Sequence, residues 1–161
     1  MASARLPSAK PLVIVAIACL AAVGAALVSQ HFFDMQPCPW CVLQRVIFVA
    51  IAVVCLIGAA IPALAGRIGA ATLAGLLALC GVAAALWQHF KAAASASCNL
   101  TLADKIISAL QLDSLLPDVF APRASCADAA VNLFGVPYDF WSLALFVLCA
   151  LAVMSTLRAR A

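Results

Sequence analysis

Asp, Glu, Lys and Arg are absent from four long stretches of the chain, residues 11–33, 46–66, 68–90 and 140–157, which hold 23, 21, 23 and 18 positions. About 20 residues rising about 1.5 Å each cross the roughly 30 Å hydrocarbon layer of a bilayer. In lipid every backbone polar group must find its partner inside the protein, so stretches of this length read as helices; membrane strands would be only about 10 residues long. The pattern predicts an all-α membrane protein: a single membrane domain, residues 1–161, built as a bundle of four transmembrane helices. The spans fall at approximately 12–31, 42–62, 68–88 and 140–157, with outer loops at 32–41 and 89–139.

The second outer loop is too apolar for a mere linker. Thr101 followed by Asp104 is a capping pattern, and beyond it Leu102, Ile106 and Leu110 share one helical face while Asp104, Ser108 and Gln111 share another. This predicts a short helix lying in the membrane interface. Pro117 and Pro122 predict an irregular, mobile stretch after it.

Composition agrees: 68% of the residues are hydrophobic and 9% charged, against about 45–50% and about 25% in soluble domains. Charge adds orientation, because cytoplasmic loops collect Lys and Arg. With four spans both termini share one side, which holds Arg5, Lys10, Arg67, Arg158 and Arg160 and no acid; the other side holds all six Asp residues. Both termini are therefore expected in the cytoplasm, and the net charge of +3 reflects topology and makes no case for nucleic acid. A cleaved signal peptide at the N-terminus is disfavoured, because the first uncharged stretch exceeds the usual signal core of about 7–15 residues.

The eight cysteines sort by compartment. Cys19, Cys55, Cys80 and Cys149 lie inside the spans, where a lone Cys is normally a small inert hydrophobe. Cys38, Cys41, Cys98 and Cys126 all lie in the outer loops, where disulfides persist in a bacterial cell. Zinc is disfavoured, because 27 residues separate Cys98 from Cys126 rather than a short knuckle. A structural bridge between those two remains an alternative. The pair in "CPWC" is harder to explain structurally, since a bridge over a two-residue gap closes little loop entropy. Pro39 suits the first helical position and makes Cys38 the cap, placing both sulfurs at the positive end of a helix dipole, which favours thiolate. Arg45, four residues after Cys41, shares its face one turn deeper. It reads either as an arginine snorkelling to headgroups or as a cation serving the Cys41 thiolate and an electron-rich group beside it.

His31 and His89 sit at outer span ends and read as interfacial polar anchors; Trp87, Trp141 and Tyr138 read as aromatic belt residues. "LWQHF" brings Gln88 and His89 to the outer interface with no role assigned. The glycosylation pattern at Asn99 matters only in a eukaryotic secretory pathway.

With four spans, a C-x-x-C opening the second, an arginine four residues on and two further outer cysteines, the chain resembles the disulfide bond formation protein B (DsbB) family. "CPWCVLQR" at Cys38–Arg45 and "CADAAVNLFGVPYDFWSL" at Cys126–Leu143 carry the resemblance, although Val131 stands where an aromatic residue is common. The resemblance implies a quinone-dependent enzyme of the bacterial inner membrane that reoxidises a periplasmic DsbA-type thiol oxidase and passes the electrons to ubiquinone or menaquinone. It implies that Cys98 forms the mixed disulfide with the partner, that Cys126 bridges Cys98 at rest, that electrons cross through Cys38 meeting Cys126, and that Cys41 and Arg45 meet the quinone. Two other readings stay open: a vitamin K epoxide reductase-like protein, whose active C-x-x-C lies late in the chain, and a membrane assembly subunit with structural disulfides.

The charge asymmetry is testable with topology reporters. An exported reporter fused near Ser114 should be active and one near Gly66 silent; the reverse pattern would place the four loop cysteines in reducing cytosol.

Overall fold

The computed structural model describes residues 9–93 and 101–158, so Arg5, Cys98, Asn99 and Arg160 lie outside the described residues. Four long helices dominate: α1 (Lys10–Phe32), α2 (Pro39–Ala60), α3 (Leu64–Trp87) and, after the outer loop, α7 (Tyr138–Arg158). All four are long and apolar enough to cross a membrane. Each packs on two neighbours in a closed ring, α1 on α2, α2 on α3, α3 on α7 and α7 back on α1, with the α1–α7 seam the sparsest.

Local chemistry explains where the helices begin and end. Cys38 caps α2: its Sγ accepts the Cys41 N–H at 3.3 Å, and Pro39 occupies the first turn, where its missing N–H costs nothing. Helix α2 therefore starts before the expected span, and Cys41 stands on its first turn. Helix α7 likewise starts at Tyr138, so Asp139 lies in a first turn, where the helix dipole favours an acid. At its outer end α3 widens into a π-helical turn, Gln88–Ala92, a distortion that re-aims side chains and recurs at functional sites.

The core is built on close approach. The rings of Phe48 and Phe146 stack with centroids 3.9 Å apart and planes within 4°. Phe146 reaches that position by lying over Gly81 of α3, in space that a Cβ would need.

The outer loop is more ordered than its prolines suggested. The capping box at Thr101 forms, with Thr101 Oγ1 accepting the Asp104 N–H at 3.3 Å and Asp104 Oδ2 accepting the Thr101 N–H at 2.8 Å, and opens α4 (Leu102–Ala109). Ala103 and Ile107 turn inward onto α2, leaving Leu102 and Leu110 exposed on the face expected to meet the interface. Two single turns follow, α5 (Leu112–Leu115) and α6 (Pro117–Phe120). The expectation of irregular chain after Pro117 and Pro122 is corrected for residues 117–120 and holds for 121–131, which carry no helix or strand: Pro117 occupies the first turn of α6, which buries Phe120 with Val42 of α2. A two-residue hairpin joins β1 (Asn132–Leu133) to β2 (Val136–Pro137), with Phe134 and Gly135 both at positive φ as such a turn requires.

Gly81→Ala should push Phe146 off its stack and destabilise the protein by about 1–3 kcal/mol, the usual cost of overpacking. Gly75→Ala, where a Cβ would meet Val153 at an ordinary 3.5 Å, should be close to neutral. Thermal unfolding of both variants in the same detergent checks the contrast.

Candidate active site

The first outer loop and the approach to Cys126 are tied together by backbone. The carbonyl of Pro37 accepts the N–H groups of Arg123 at 2.9 Å and Ala124 at 3.3 Å. Two residues later Cys126 lies against Cys38, in a buried apolar cluster with Trp40, Leu43 and Ala103. Cys38 therefore stands between two thiols: its Sγ is 2.9 Å from Cys41 Sγ and in hydrogen-bond contact with Cys126. The hydrogen bond from Cys38 holds the Cys126 thiol below its usual range against the opposing effect of burial, with a backbone bond from Trp40 adding to it. The same contact, the one to Cys41 and burial push the Cys38 thiol up. Of the two, Cys126 is the sulfur whose thiolate this arrangement favours.

Behind this trio lies a polar network. Gln44, Arg45, Gln88 and Asp139 are 4%, 6%, 3% and 5% exposed, values rare for such side chains unless every group is partnered. The Gln88 amide donates from Nε2 to Cys41 Sγ at 3.2 Å and to Asp139 Oδ1 at 3.0 Å, while its Oε1 accepts from Gln44 Nε2 at 2.7 Å. Because an ionised carboxylate only accepts, Asp139 dictates which end of the amide faces Cys41. The other Asp139 oxygen meets His89 Nδ1 at 3.2 Å. His89 is thus more than the interfacial anchor expected of it: its ring leans on Phe140 and its nitrogen on a buried acid.

Arg45 does not snorkel. Its Nη1 donates to Gln30 Oε1 at 2.7 Å and to the Val119 carbonyl at 2.9 Å, and Nη2 reaches the Ala26 carbonyl at 3.4 Å. All three partners are neutral, so the guanidinium keeps its full charge and part of its donor fork for something else. The sequence reading missed Gln30, Gln44, Gln88 and Asp139. Their signal was present as polar residues at the outer ends of apolar spans, but nothing in the spacing said that the π turn and the first turn of α7 would aim two of them inward.

Cys41, Arg45, Gln44, Gln88 and Asp139 together line one side of a cavity of about 1010 Å³. Apolar walls come from both sides of the sparse α1–α7 seam, among them Ala25 and Leu148, which are themselves exposed on the side of the bundle, while Asp34, Arg123 and Asp128 line the loop end. Gln36, whose buried Oε1 has no hydrogen-bond partner among the described residues, also lines it. A largely apolar guest with hydrogen-bonding oxygens suits such a lining, which joins apolar walls to the remaining donors of Arg45 and the acceptor of Gln36. His31 is exposed and Trp87 and Trp141 are about half exposed. Cys19 and Cys149 are not isolated thiols, their sulfurs lying 3.7 Å apart deep in the bundle, away from this site.

Comparison with known proteins points the same way. The family profile described as "Disulfide bond formation protein DsbB" matches residues 8–156. Disulfide bond formation protein B of Herminiimonas arsenicoxydans is 35% identical over 143 residues, covering 88% of this chain and 90% of that one. Disulfide bond formation protein B 1 of Pseudomonas syringae pv. syringae is 37% identical over 145 residues, covering 88% and 85%. Disulfide bond formation protein B of Burkholderia pseudomallei is 35% identical over 151 residues, covering 92% and 89%. A cysteine trio feeding a buried polar network at the outer end of a four-helix bundle is what a membrane disulfide oxidoreductase needs, and the chain belongs to the disulfide bond formation protein DsbB family.

Proposed function

We propose that this protein takes electrons from the dithiol of a DsbA-type thiol oxidase on the outer side of the bacterial inner membrane and delivers them to membrane quinone, ubiquinone or menaquinone. Both termini then face the cytoplasm. The observation that carries the reading is the continuous line from Cys126 through Cys38 to Cys41 and into a cavity that also holds Arg45. The family match leaves the vitamin K epoxide reductase-like and purely structural readings without support.

In the proposed sequence a thiolate of the partner attacks Cys98 of a Cys98–Cys126 bridge, forming a mixed disulfide and releasing Cys126 as thiolate. The partner's second thiol then closes its own bridge and frees Cys98. Cys126 attacks Cys38 of the Cys38–Cys41 bridge, so that a Cys38–Cys126 bond forms and Cys41 leaves as thiolate. Attack of Cys98 on Cys126 restores the first bridge and leaves Cys38 and Cys41 carrying both electrons. The direction suits the three sulfurs: Cys38, with its proton held hardest, is the one attacked, and Cys41 departs toward the Gln88 N–H and the N-terminus of α2.

A quinone bound in the cavity supplies the two-electron, two-proton acceptor. Arg45 would hold it through the donors its neutral partners leave over, and Gln36 Oε1 would accept from a hydroxyl of the hydroquinone product. The same guanidinium offsets negative charge arising on Cys41 in surroundings where an unpaired charge is costly. Trp40, Leu43 and Ala103 exclude water from the exchanging sulfurs.

Mixing purified protein with reduced partner and quinone should yield hydroquinone, followed by absorbance; no hydroquinone from any quinone would defeat the proposal. Cys98→Ala should abolish electron transfer from the partner while Cys38 and Cys41 remain reducible by a small dithiol, which alkylation and mass mapping would show. Losing a charge-assisted hydrogen bond costs about 1.5–3 kcal/mol, so Arg45→Ala should raise the quinone requirement at least about tenfold and leave exchange at Cys98 near normal. Arg45→Lys should fall between, keeping charge without the fork. Kinetics at varied quinone decide between this and a purely structural arginine.

A further inference from the structure

Asp139 divides two cavities. It lines the large one beside Cys41 and Arg45, and it also lines a smaller one of about 200 Å³ on the loop side, together with His89, Asn132 and Pro137. Besides Asp139, only Val131, an apolar side chain, is shared between the two linings. The carboxylate is almost wholly buried, yet its two oxygens look opposite ways: Oδ1 toward the Gln88 amide that also touches Cys41, and Oδ2 toward His89 Nδ1. His89 is itself about one-third exposed, with its side chain 31% accessible. An acid with one oxygen inside and one at a partly exposed imidazole is more than helix stability demands, since a first-turn acid serves the dipole equally well from the surface.

We propose that His89 and Asp139 form a proton relay between the outer surface and the Cys41–Arg45 cavity. The proposal rests on the quinone reading above. Oxidising the thiols of Cys38 and Cys41 to a bridge releases two electrons and two protons, and reduction of quinone to hydroquinone consumes the same numbers. Sulfur, however, reacts as thiolate, so a proton has left Cys41 before its electrons move and has to be returned to the cavity afterwards. On the Cys38 side Cys41 is covered by a buried apolar cluster, and the polar contact it keeps is the Gln88 amide, which Asp139 holds from behind. In the relay Asp139 takes up a proton when the pair is reduced and a second anion appears at Cys41 nearby. That proton reaches Asp139 through His89; Asp139 gives it to the cavity as the electrons leave, the Cys38 thiol supplies the second proton, and Asp139 is a carboxylate again until the next reduction. Over a turnover nothing is gained or lost on either residue. The titratable and charged groups sharing these surroundings are His89 on the π turn, Cys41 and Arg45 on α2, and Tyr138 on α7; Asp34, Arg123 and Asp128 also line the large cavity.

Infrared difference spectroscopy on the full chain in lipid discs, with quinone removed, reads the carboxyl directly. Reduction by a small dithiol should produce a carboxylic-acid carbonyl band that shifts in deuterium oxide and is missing in Asp139→Asn. In quinone-loaded protein the same variant should slow hydroquinone formation at least about tenfold, within the range for lost acid–base assistance, flatten its pH profile and leave partner exchange at Cys98 unchanged. His89→Gln should keep the infrared band and slow hydroquinone formation, with a larger solvent deuterium isotope effect. A band that survives Asp139→Asn overturns the relay, as does either variant turning over with the parent's rate and pH profile. If the parent itself makes no hydroquinone, the quinone reading fails, while the infrared band, which needs no quinone, still decides whether Asp139 takes up the proton.

Discussion

A guanidinium buried at one end of a helical bundle and held by neutral oxygens is the constraint around which this protein is arranged. Burying an ion without a counter-ion is expensive, and among the described residues Arg45 meets Gln30 and two backbone carbonyls but no acid. Those partners come from α1 and from the single turn α6, so the arginine is also a clamp. It draws the loop segment containing Val119 onto the bundle and fixes α1 against α2. The uncompensated charge is then available to whatever anion arises beside it, and the nearest reactive sulfur one turn away on the same helix is Cys41.

The rest of the site follows from keeping that charge useful without neutralising it permanently. Asp139 could have paired with Arg45 and silenced it. Instead its oxygens are engaged by Gln88 and His89, so cation and acid line the same cavity as separate groups. Gln88 links the acid to Cys41 through a single amide whose orientation the carboxylate sets. On the other side, the Pro37 carbonyl holds the chain leading to Cys126, so thiol exchange is arranged by backbone bonds while charge is arranged by side chains. Cys38 joins the two halves.

Much of this was legible in the sequence because its causes are local or compositional. Span number, the Cys38 cap, the Thr101–Asp104 box and the shared face of Cys41 and Arg45 all follow from residue type and short spacing. What the sequence hid is non-local. His89 read as a belt residue because its partner lies 50 positions away. Gln88 carried no role because a π turn, not a regular α turn, aims it at Cys41. The order of residues 112–120 was missed for a different reason: Pro117 breaks a helix in one context and begins one in another, and only the burial of Phe120 selects the second.

The cavity's walls at the α1–α7 seam bear on supply. Ala25 on one side and Leu148 on the other belong at once to the cavity and to the exposed side of the bundle, so the proposed quinone would arrive sideways, from the bilayer, without crossing water. Its occupancy is then governed by mole fraction among lipids and by lateral diffusion in two dimensions, quantities that the volume of the surrounding solution leaves untouched. An enzyme served in this way answers to the composition of its membrane, and two cells with the same amount of electron acceptor but different membrane areas would run it at different rates.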